Sequence, residues 1–202
     1  MSRYTGPKHR LARREGVNIL EKESPSLLRR LTIPPGMHGP KGTRRKQSEY
    51  GVQLREKQKA KRIYSVSEKQ FTKYLQSALK VQGKTGETLL QLLERRLDNI
   101  VYKLGFVPSR AMARQLVSHG HVSVNGKVVN TPSFSVDVGD VVALTEKAQN
   151  IPVVRKSLET ENPKVPGFLE RKGTFGKVAR IPERDEIQSN ISEQLIVEYY
   201  SR

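Results

Sequence analysis

Cysteine is absent from this 202-residue chain. That excludes disulfides and thiolate zinc sites, and it fits a protein of the reducing cytoplasm. Long apolar runs are missing too. Nothing has the length of a membrane span, and no signal-peptide core or lipidation motif is present. The N-terminus is basic with no apolar stretch behind it, so we expect no cleaved leader. Acid is in short supply: 37 lysines and arginines face 20 aspartates and glutamates, a formal net charge of +17. Such an excess draws a chain to phosphate whatever its fold, because cationic side chains displace counterions condensed on nucleic acid. An anionic membrane attracts the same charge, but the lack of any apolar span weighs against that partner. Hydrophobic residues make up 35 % of the chain, enough for a real core at this length, though some segments must lack a core of their own.

The charge is unevenly spread. Residues 1–62 hold 17 Lys or Arg and 5 Asp or Glu, a balance of +12, and the remaining 140 residues balance to +5 (20 minus 15). A basic surface spread evenly serves solubility; a concentrated one points to a polyanionic partner.

Residues 1–47 are punctuated by Gly6-Pro7, Pro25, Pro34-Pro35-Gly36, Gly39-Pro40 and Gly42. Their weak apolar periodicity predicts a largely irregular basic arm, ordered by its partner. Ser48–Tyr64 reads as a strongly charged helix. Ser67 and Gln70 fit a capping box, and Val66 with Phe71 fits the flanking hydrophobic staple. Phe71, Tyr74, Leu75, Ala78 and Leu79 then mark one buried helical face. After the Gly83–Gly86 break, Leu89, Leu92, Leu93, Leu97, Ile100, Val101 and Leu104 predict a single apolar helix closed by Gly105. Ser109 is a candidate N-cap for a short helix that buries Ala113, Leu116 and Val117 and ends near Gly120. Val122 and Val124 alternate as a strand, and Asn125-Gly126 is a strong hairpin signal, since both central residues of a type I′ turn need positive φ. Val128-Val129 returns the strand, and Val136–Leu144 supplies another around the Gly139-Asp140 turn. Residues 150–176 carry too many prolines and glycines to assign. Ser192–Arg202 reads as a capped terminal helix with Leu195, Ile196, Val197 and Tyr199 partly buried.

Signals for catalysis are weak. Gly83-Lys84-Thr85 superficially resembles a phosphate-binding loop, but the full motif requires glycine where Ala78 stands and a strand where a helix stands. Gly173-Thr174-Phe175-Gly176-Lys177 lacks a strand–loop–helix context as well. His119 and His121 have no third ligand, so we expect no metal there. Asp98 lies beside Arg95 and Arg96, where an ion pair is the simpler role. Asp140 sits in a turn, where Asp bonds locally. No nucleophile, paired carboxylates or cofactor motif emerges, and we expect neither enzyme activity nor a small-molecule substrate.

The basic clusters stand out instead. Arg44-Arg45-Lys46 precedes the charged helix, and Arg55, Lys57, Lys59, Lys61 and Arg62 crowd it. A charge run is usually a solvated face; this one lacks balancing acids in sequence, and Tyr50 and Tyr64 flank it. Guanidinium forks onto phosphate or stacks on a base, and Tyr stacks or donates a hydrogen bond. Arg110 and Arg114 lie one turn apart. We expect them on a face opposite Ala113, Leu116 and Val117, beside the His119–His121 loop and Lys127.

These residues carry a resemblance. Arg95-Arg96-Leu97-Asp98-Asn99, Ser109-Arg110, Ala113-Arg114-Gln115-Leu116-Val117, His119-Gly120-His121, Val124-Asn125-Gly126-Lys127 and Gly139-Asp140 resemble a small RNA-binding fold shared by several RNA-handling proteins. The flanks narrow it. Arg3-Tyr4-Thr5-Gly6-Pro7-Lys8, the run from Ser48 to Lys59, and the run from Glu193 to Arg202 are similar to the bacterial-type family of small-subunit ribosomal protein number four, in the right order over nearly the whole chain. The resemblance implies an α+β fold: a helical domain built from the N-terminal part plus the C-terminal helix, with a small α/β RNA-binding domain inserted. In that domain two to three helices pack on a short, mainly antiparallel sheet. The implied division is an arm at 1–47, a helical domain at 48–90 plus 177–202, and the insert at 91–176 with its core at 94–150.

The resemblance also implies a structural role in the small ribosomal subunit. It implies binding to the 5′ domain of small-subunit ribosomal RNA that nucleates assembly, and contact with ribosomal protein five that bears on translational accuracy. A place where messenger RNA enters is implied as well, with Arg44, Arg45 and Lys46 matching the family's basic stretch. The candidate RNA-binding residues in the first part are Arg3, Lys8, Arg10, Arg13, Arg14, Arg44, Arg45, Lys46, Ser48, Tyr50, Arg55, Lys57, Lys59, Lys61, Arg62 and Tyr64. In the insert they are Ser109, Arg110, Arg114, Gln115, His119, His121, Asn125 and Lys127. Some family members carry a Cys-rich zinc site near residues 9–40, which this chain lacks. The expected location is the ribosome of the cytoplasm or of an organelle of bacterial descent. Two other readings share the small fold: an RNA-modifying enzyme of the pseudouridine synthase type, for which the chain lacks room, and a standalone ribosome-associated RNA-binding factor, against which the long matching termini argue.

Overall fold

Apolar periodicity and its interruptions lay out the elements. The computed structural model describes residues 4–20, 24–41, 47–159, 165–187 and 190–201. The helices, in chain order, are α1 (Lys8–Glu15), α2 (Pro25–Leu28), α3 (Glu49–Ile63), α4 (Glu68–Leu79), α5 (Thr85–Glu94), α6 (Leu97–Lys103), α7 (Arg110–Ser118), α8 (Glu146–Gln149), α9 (Pro152–Leu158) and α10 (Glu193–Tyr200). The strands are β1 (Val122–Val124), β2 (Lys127–Val128), β3 (Val141–Leu144), β4 (Leu169–Lys172) and β5 (Phe175–Val178). They form two compact units, one of Met1–Gly86 with Asn190–Arg202 and one of Glu87–Ser189. The fold class is α+β, as the resemblance implied.

In the first unit, α3 starts at Ser48, whose Oγ accepts from the Gly51 amide at 3.2 Å. Ser67 does the same for α4, accepting from the Gln70 amide, so the cap signal lies where the sequence placed it. Phe71, Leu75 and Ala78 of α4 are buried, with Ala60 and Ile63 of α3 and Ile196 of α10. Leu79 is a correction: it is 60 % exposed, because α4 ends there and its side chain falls off the buried stripe. The terminal helix packs along α3. A Cβ on Gly86 would meet Cγ of Glu193 at 2.6 Å, so the backbone there is bare where α10 begins. Ser192 does not cap α10 with its side chain; instead its amide donates to Glu56 Oε2 at 3.2 Å.

The expectation of an irregular arm over 1–47 is corrected. Helices α1 and α2 form there, and Ala12, Ile19 and Leu27 are buried. The physical reason is that a helix of two turns needs only one or two apolar contacts once a neighbouring surface is available, too few to register as periodicity. Arg13 ties this segment down, donating from Nε to the Ile33 carbonyl at 2.9 Å and from Nη2 to the Pro34 carbonyl at 3.0 Å.

The second unit wraps helices around a five-stranded antiparallel sheet of order β2-β1-β3-β5-β4. Asn125 and Gly126 both take positive φ, +50° and +79°, the turn that the dipeptide predicts. Leu97, Ile100, Val101 and Leu104 of α6, Ala113, Leu116 and Val117 of α7, and Val122, Val124, Val142, Leu144 and Val178 of the sheet share one core. The single helix expected over Leu89–Leu104 is corrected to two. The break falls at Arg95-Arg96, where the backbone pairs with a neighbouring segment: Leu97 N donates to Phe134 O at 2.9 Å and Val136 N to Arg95 O at 3.0 Å. A tertiary strand partner takes the hydrogen bonds that a continuous helix would use, while the apolar phase runs on unchanged. The strand expected over Val136–Leu144 is confined to Val141–Leu144, and Val128, 61 % exposed, belongs to the open face of the sheet. The stretch 150–176 that sequence could not assign holds α9 and most of the β4–β5 hairpin. Since Lys177 and Val178 pair within that sheet, residues 177–187 lie with the second unit and not, as expected, with the helical one.

Candidate nucleic-acid interface

The second unit builds its basic surface on a buried polar scaffold. Arg96, 2 % exposed, forks onto Asp98 with Nε to Oδ1 at 3.0 Å and Nη2 to Oδ2 at 2.6 Å. Asn99 donates from Nδ2 to the Glu94 carboxylate at 2.6 Å and to the Glu94 carbonyl at 3.0 Å. Its other amide atom, Oδ1, accepts from Arg110 Nε at 2.8 Å. The Arg114 guanidinium stands 3.8 Å from Asp98 Oδ2. Burial holds the Asp98 carboxyl above its ordinary range, against the pull of the Arg96 and Arg114 charges.

Arg110 and Arg114 therefore flank the apolar stripe of α7 instead of opposing it, which corrects the expected face. At 100° per residue Arg110 sits next to Val117, so its stem lies along the core edge and its guanidinium over the Tyr102 ring at 4.6 Å. Ser109 Oγ caps the helix, accepting from the Met112 amide at 3.4 Å. Gln115 and His119 are exposed on the next face, with Asn125 and Lys127 exposed at the hairpin. The His119 and His121 rings lie 6.2 Å apart across Gly120, whose φ of +72° makes the turn. Asn125 has a structural duty besides: its Oδ1 accepts from the Val141 amide and its Nδ2 donates to Asp140. Asp140 also accepts from the Asp137 amide, the local role that its turn position predicts.

In the first unit, many of the expected cations are engaged internally. Glu15, with a side chain only 1 % exposed, accepts from both Arg55 and Arg62. Burial pushes its carboxyl up, against the pull of those two charges. Lys57, 5 % exposed, pairs with Glu68 at 2.9 Å and lies 4.3 Å over the Tyr199 ring. Lys59 pairs with Glu56 at 2.8 Å and Lys61 with Glu68 at 2.9 Å. Tyr64 is buried at 2 %. The balancing acids that seemed absent from the run are thus supplied by Glu56 in α3 itself and by Glu15 and Glu68 from its neighbours.

Among the remaining candidates, Lys8, Arg10 and Arg14 are exposed on α1. Arg10, Arg14 and Arg62 line a cleft of about 230 Å³ with Leu11 and Pro35, a recess of the right charge for a phosphate. Tyr50 is half exposed, its hydroxyl 3.4 Å from that of Tyr199. Arg3, Arg44, Arg45 and Lys46 lie outside the described residues. Sequence reasoning did not foresee the Glu94–Asn99–Arg110 chain; its signal was the pair Asp98-Asn99 set into an otherwise apolar helix, where polar residues at buried positions must find partners.

Glu68 yields a pH prediction. Partial burial pushes its carboxyl up, but hydrogen bonds from Lys57, Lys61 and Tyr200 outweigh it and bring it from the ordinary 4.5 to about 2. A carboxyl lowered by folding stabilises the native state fully above its unfolded pKa, and that contribution disappears as pH falls through the folded one. Between about pH 4.5 and 2 the melting temperature of Glu68→Gln is therefore expected to fall less than that of the parent chain. Identical acid limbs in scanning calorimetry would show that this carboxylate is not held as described.

No described helix is long and apolar enough to cross a membrane. A helix-backed antiparallel sheet with an arginine-bearing helix and a lysine at its hairpin is the kind of surface expected of an RNA-binding protein. Residues 3–94 match the family model described as ribosomal protein S4/S9 N-terminal domain, and residues 95–142 match that of the S4 domain. Relatives named small ribosomal subunit protein uS4 align over 100 % of each chain: those of Dictyoglomus turgidum and Natranaerobius thermophilus are 52 % identical, and that of Bacteroides thetaiotaomicron is 50 % identical. The chain belongs to the uS4 family of ribosomal proteins.

Proposed function

We propose that this chain is a structural constituent of the small ribosomal subunit, on the ribosome of the cytoplasm or of an organelle of bacterial descent. In this reading it binds the 5′ domain of the subunit's RNA early and nucleates assembly. The observation that carries the reading is the end-to-end match to the uS4 relatives, with both family regions in order. The geometry supports it. Cations on two separately folded units can neutralise phosphates of several RNA helices, reducing the repulsion between them. Sequence discrimination is modest, since RNA duplexes are recognised mainly by shape, phosphate and 2′-OH.

Two finer roles follow as part of the same proposal. The first is contact with ribosomal protein five, with a bearing on translational accuracy. Its support is the open face of the sheet, where the register sets Val128, Ser123, Ala143 and Phe175 in one row. Phe175 is 56 % exposed and Val128 61 % exposed, an apolar patch suited to a protein partner. The second is a position where messenger RNA enters, resting on Arg44, Arg45 and Lys46. Sedimentation of cell extract tests the main reading: the chain is expected at one copy per small subunit, and absence from that particle overturns it. Crosslinks recovered from the same particle test the two contacts. They are expected from Phe175 to ribosomal protein five and from Arg44–Lys46 to messenger RNA, and products lacking either would remove that contact.

A further inference from the structure

With Arg55, Lys57, Lys59, Lys61 and Arg62 all engaged by Glu15, Glu56 and Glu68, the accessible positive charge of the first unit has to be sought elsewhere. It lies on α4. Lys69, Lys73 and Lys80 are exposed, and at 100° per residue they fall with Gln76 inside a sector about 60° wide. That sector is diametrically opposite Phe71, Leu75 and Ala78, which fill the core. The rise from Lys69 to Lys80 is about 16 Å, so the three ammonium groups form a straight rail along the outside of the helix.

We propose that this rail is a phosphate-backbone contact for RNA, a binding surface separate from the α7 and hairpin site. The proposal rests on the RNA-binding reading given above. Three observations favour it over a solvated face. The acid of α4, Glu68, is turned to Lys57, Lys61 and Tyr200 and leaves the rail uncompensated. None of the three ammonium groups makes a hydrogen bond or ion pair to a described residue. Like charges at i and i+4 repel, and Lys69 and Lys73 stand at that spacing with no acid between them. Besides the lysines the sector holds only Gln76, with Thr72 and Ser77 at its flanks, so it has no apolar side chain to insert into a lipid surface. Lysines act on phosphate as point charges that need no fixed geometry, which suits a rail that follows a strand without reading its bases.

The test is filter binding of the full chain to 5′-domain RNA of the small subunit over a range of salt concentrations. A triple variant, Lys69→Gln, Lys73→Gln and Lys80→Gln, is expected to lower the salt slope by about 2 and to weaken binding about 30-fold at 0.2 M salt. The corresponding triple arginine variant is expected to keep the parent slope. A double variant elsewhere, Lys147→Gln and Lys156→Gln, controls for bulk charge and is expected to change affinity only a few-fold. A triple glutamine variant with the parent's slope overturns the rail, as does a control that weakens binding equally per charge. If the parent chain itself fails to bind this RNA, the RNA-binding reading falls and the rail with it. Melting temperatures of all variants, expected to be unchanged at such exposed positions, separate lost contact from lost fold.

Discussion

Replacing Asp98 by alanine is expected to lower the unfolding free energy of the second unit by about 3–5 kcal/mol, measured by urea denaturation. The size follows from what is left behind. Arg96 is 2 % exposed, and its guanidinium loses both oxygens of its fork in one step. A buried cation that loses a bidentate carboxylate has little solvent to turn to, and its desolvation is then poorly compensated. Replacing both members together, Arg96→Met with Asp98→Leu, is expected to cost much less, since no charge is stranded. A loss below about 1 kcal/mol for the single variant would mean that Arg96 finds water or another acid. The same substitution removes the anion beside Arg114.

The second large effect concerns salt. If six to ten phosphates are neutralised, affinity for 5′-domain RNA is expected to fall by about 10³–10⁵ between 50 and 200 mM salt. Base-edge hydrogen bonds and stacking respond weakly to ionic strength, so the slope counts phosphate contacts in particular. A decrease of less than tenfold over that range would move recognition from backbone charge to the bases, and the exposed His119, Gln115 and Tyr50 would become the leading candidates for the contact.

Much of this was legible in the chain, for reasons that differ by element. Ser67 with Gln70, and Asn125 with Gly126, are local signals: the cap and the turn are decided within four residues, and nothing distant overrides them. The apolar faces of α4, α6 and α7 were legible because burial imposes a period. The break between α5 and α6 was not, because it depends on residues 132–136 arriving as a backbone partner, which leaves no trace in the phase of Leu93, Leu97 and Ile100. The charged helix α3 misled in a similar way. Its cations look unbalanced along the sequence, yet Glu15 reaches Arg62 from 47 residues away and Glu68 reaches Lys57 from 11. Charge pairing is a property of the folded surface, and a linear count of cations overstates what an RNA can meet.

The docking of α10 on α3 orders events during synthesis. Gln53 bonds Glu198 across 145 residues, and Tyr200 bonds Glu68 across 132. On a translating ribosome the sheet-bearing unit is therefore complete while the helical one still waits for its closing segment. The portion made first is the last to mature, and a nascent chain halted before Glu193 presents a finished insert on an unfinished base.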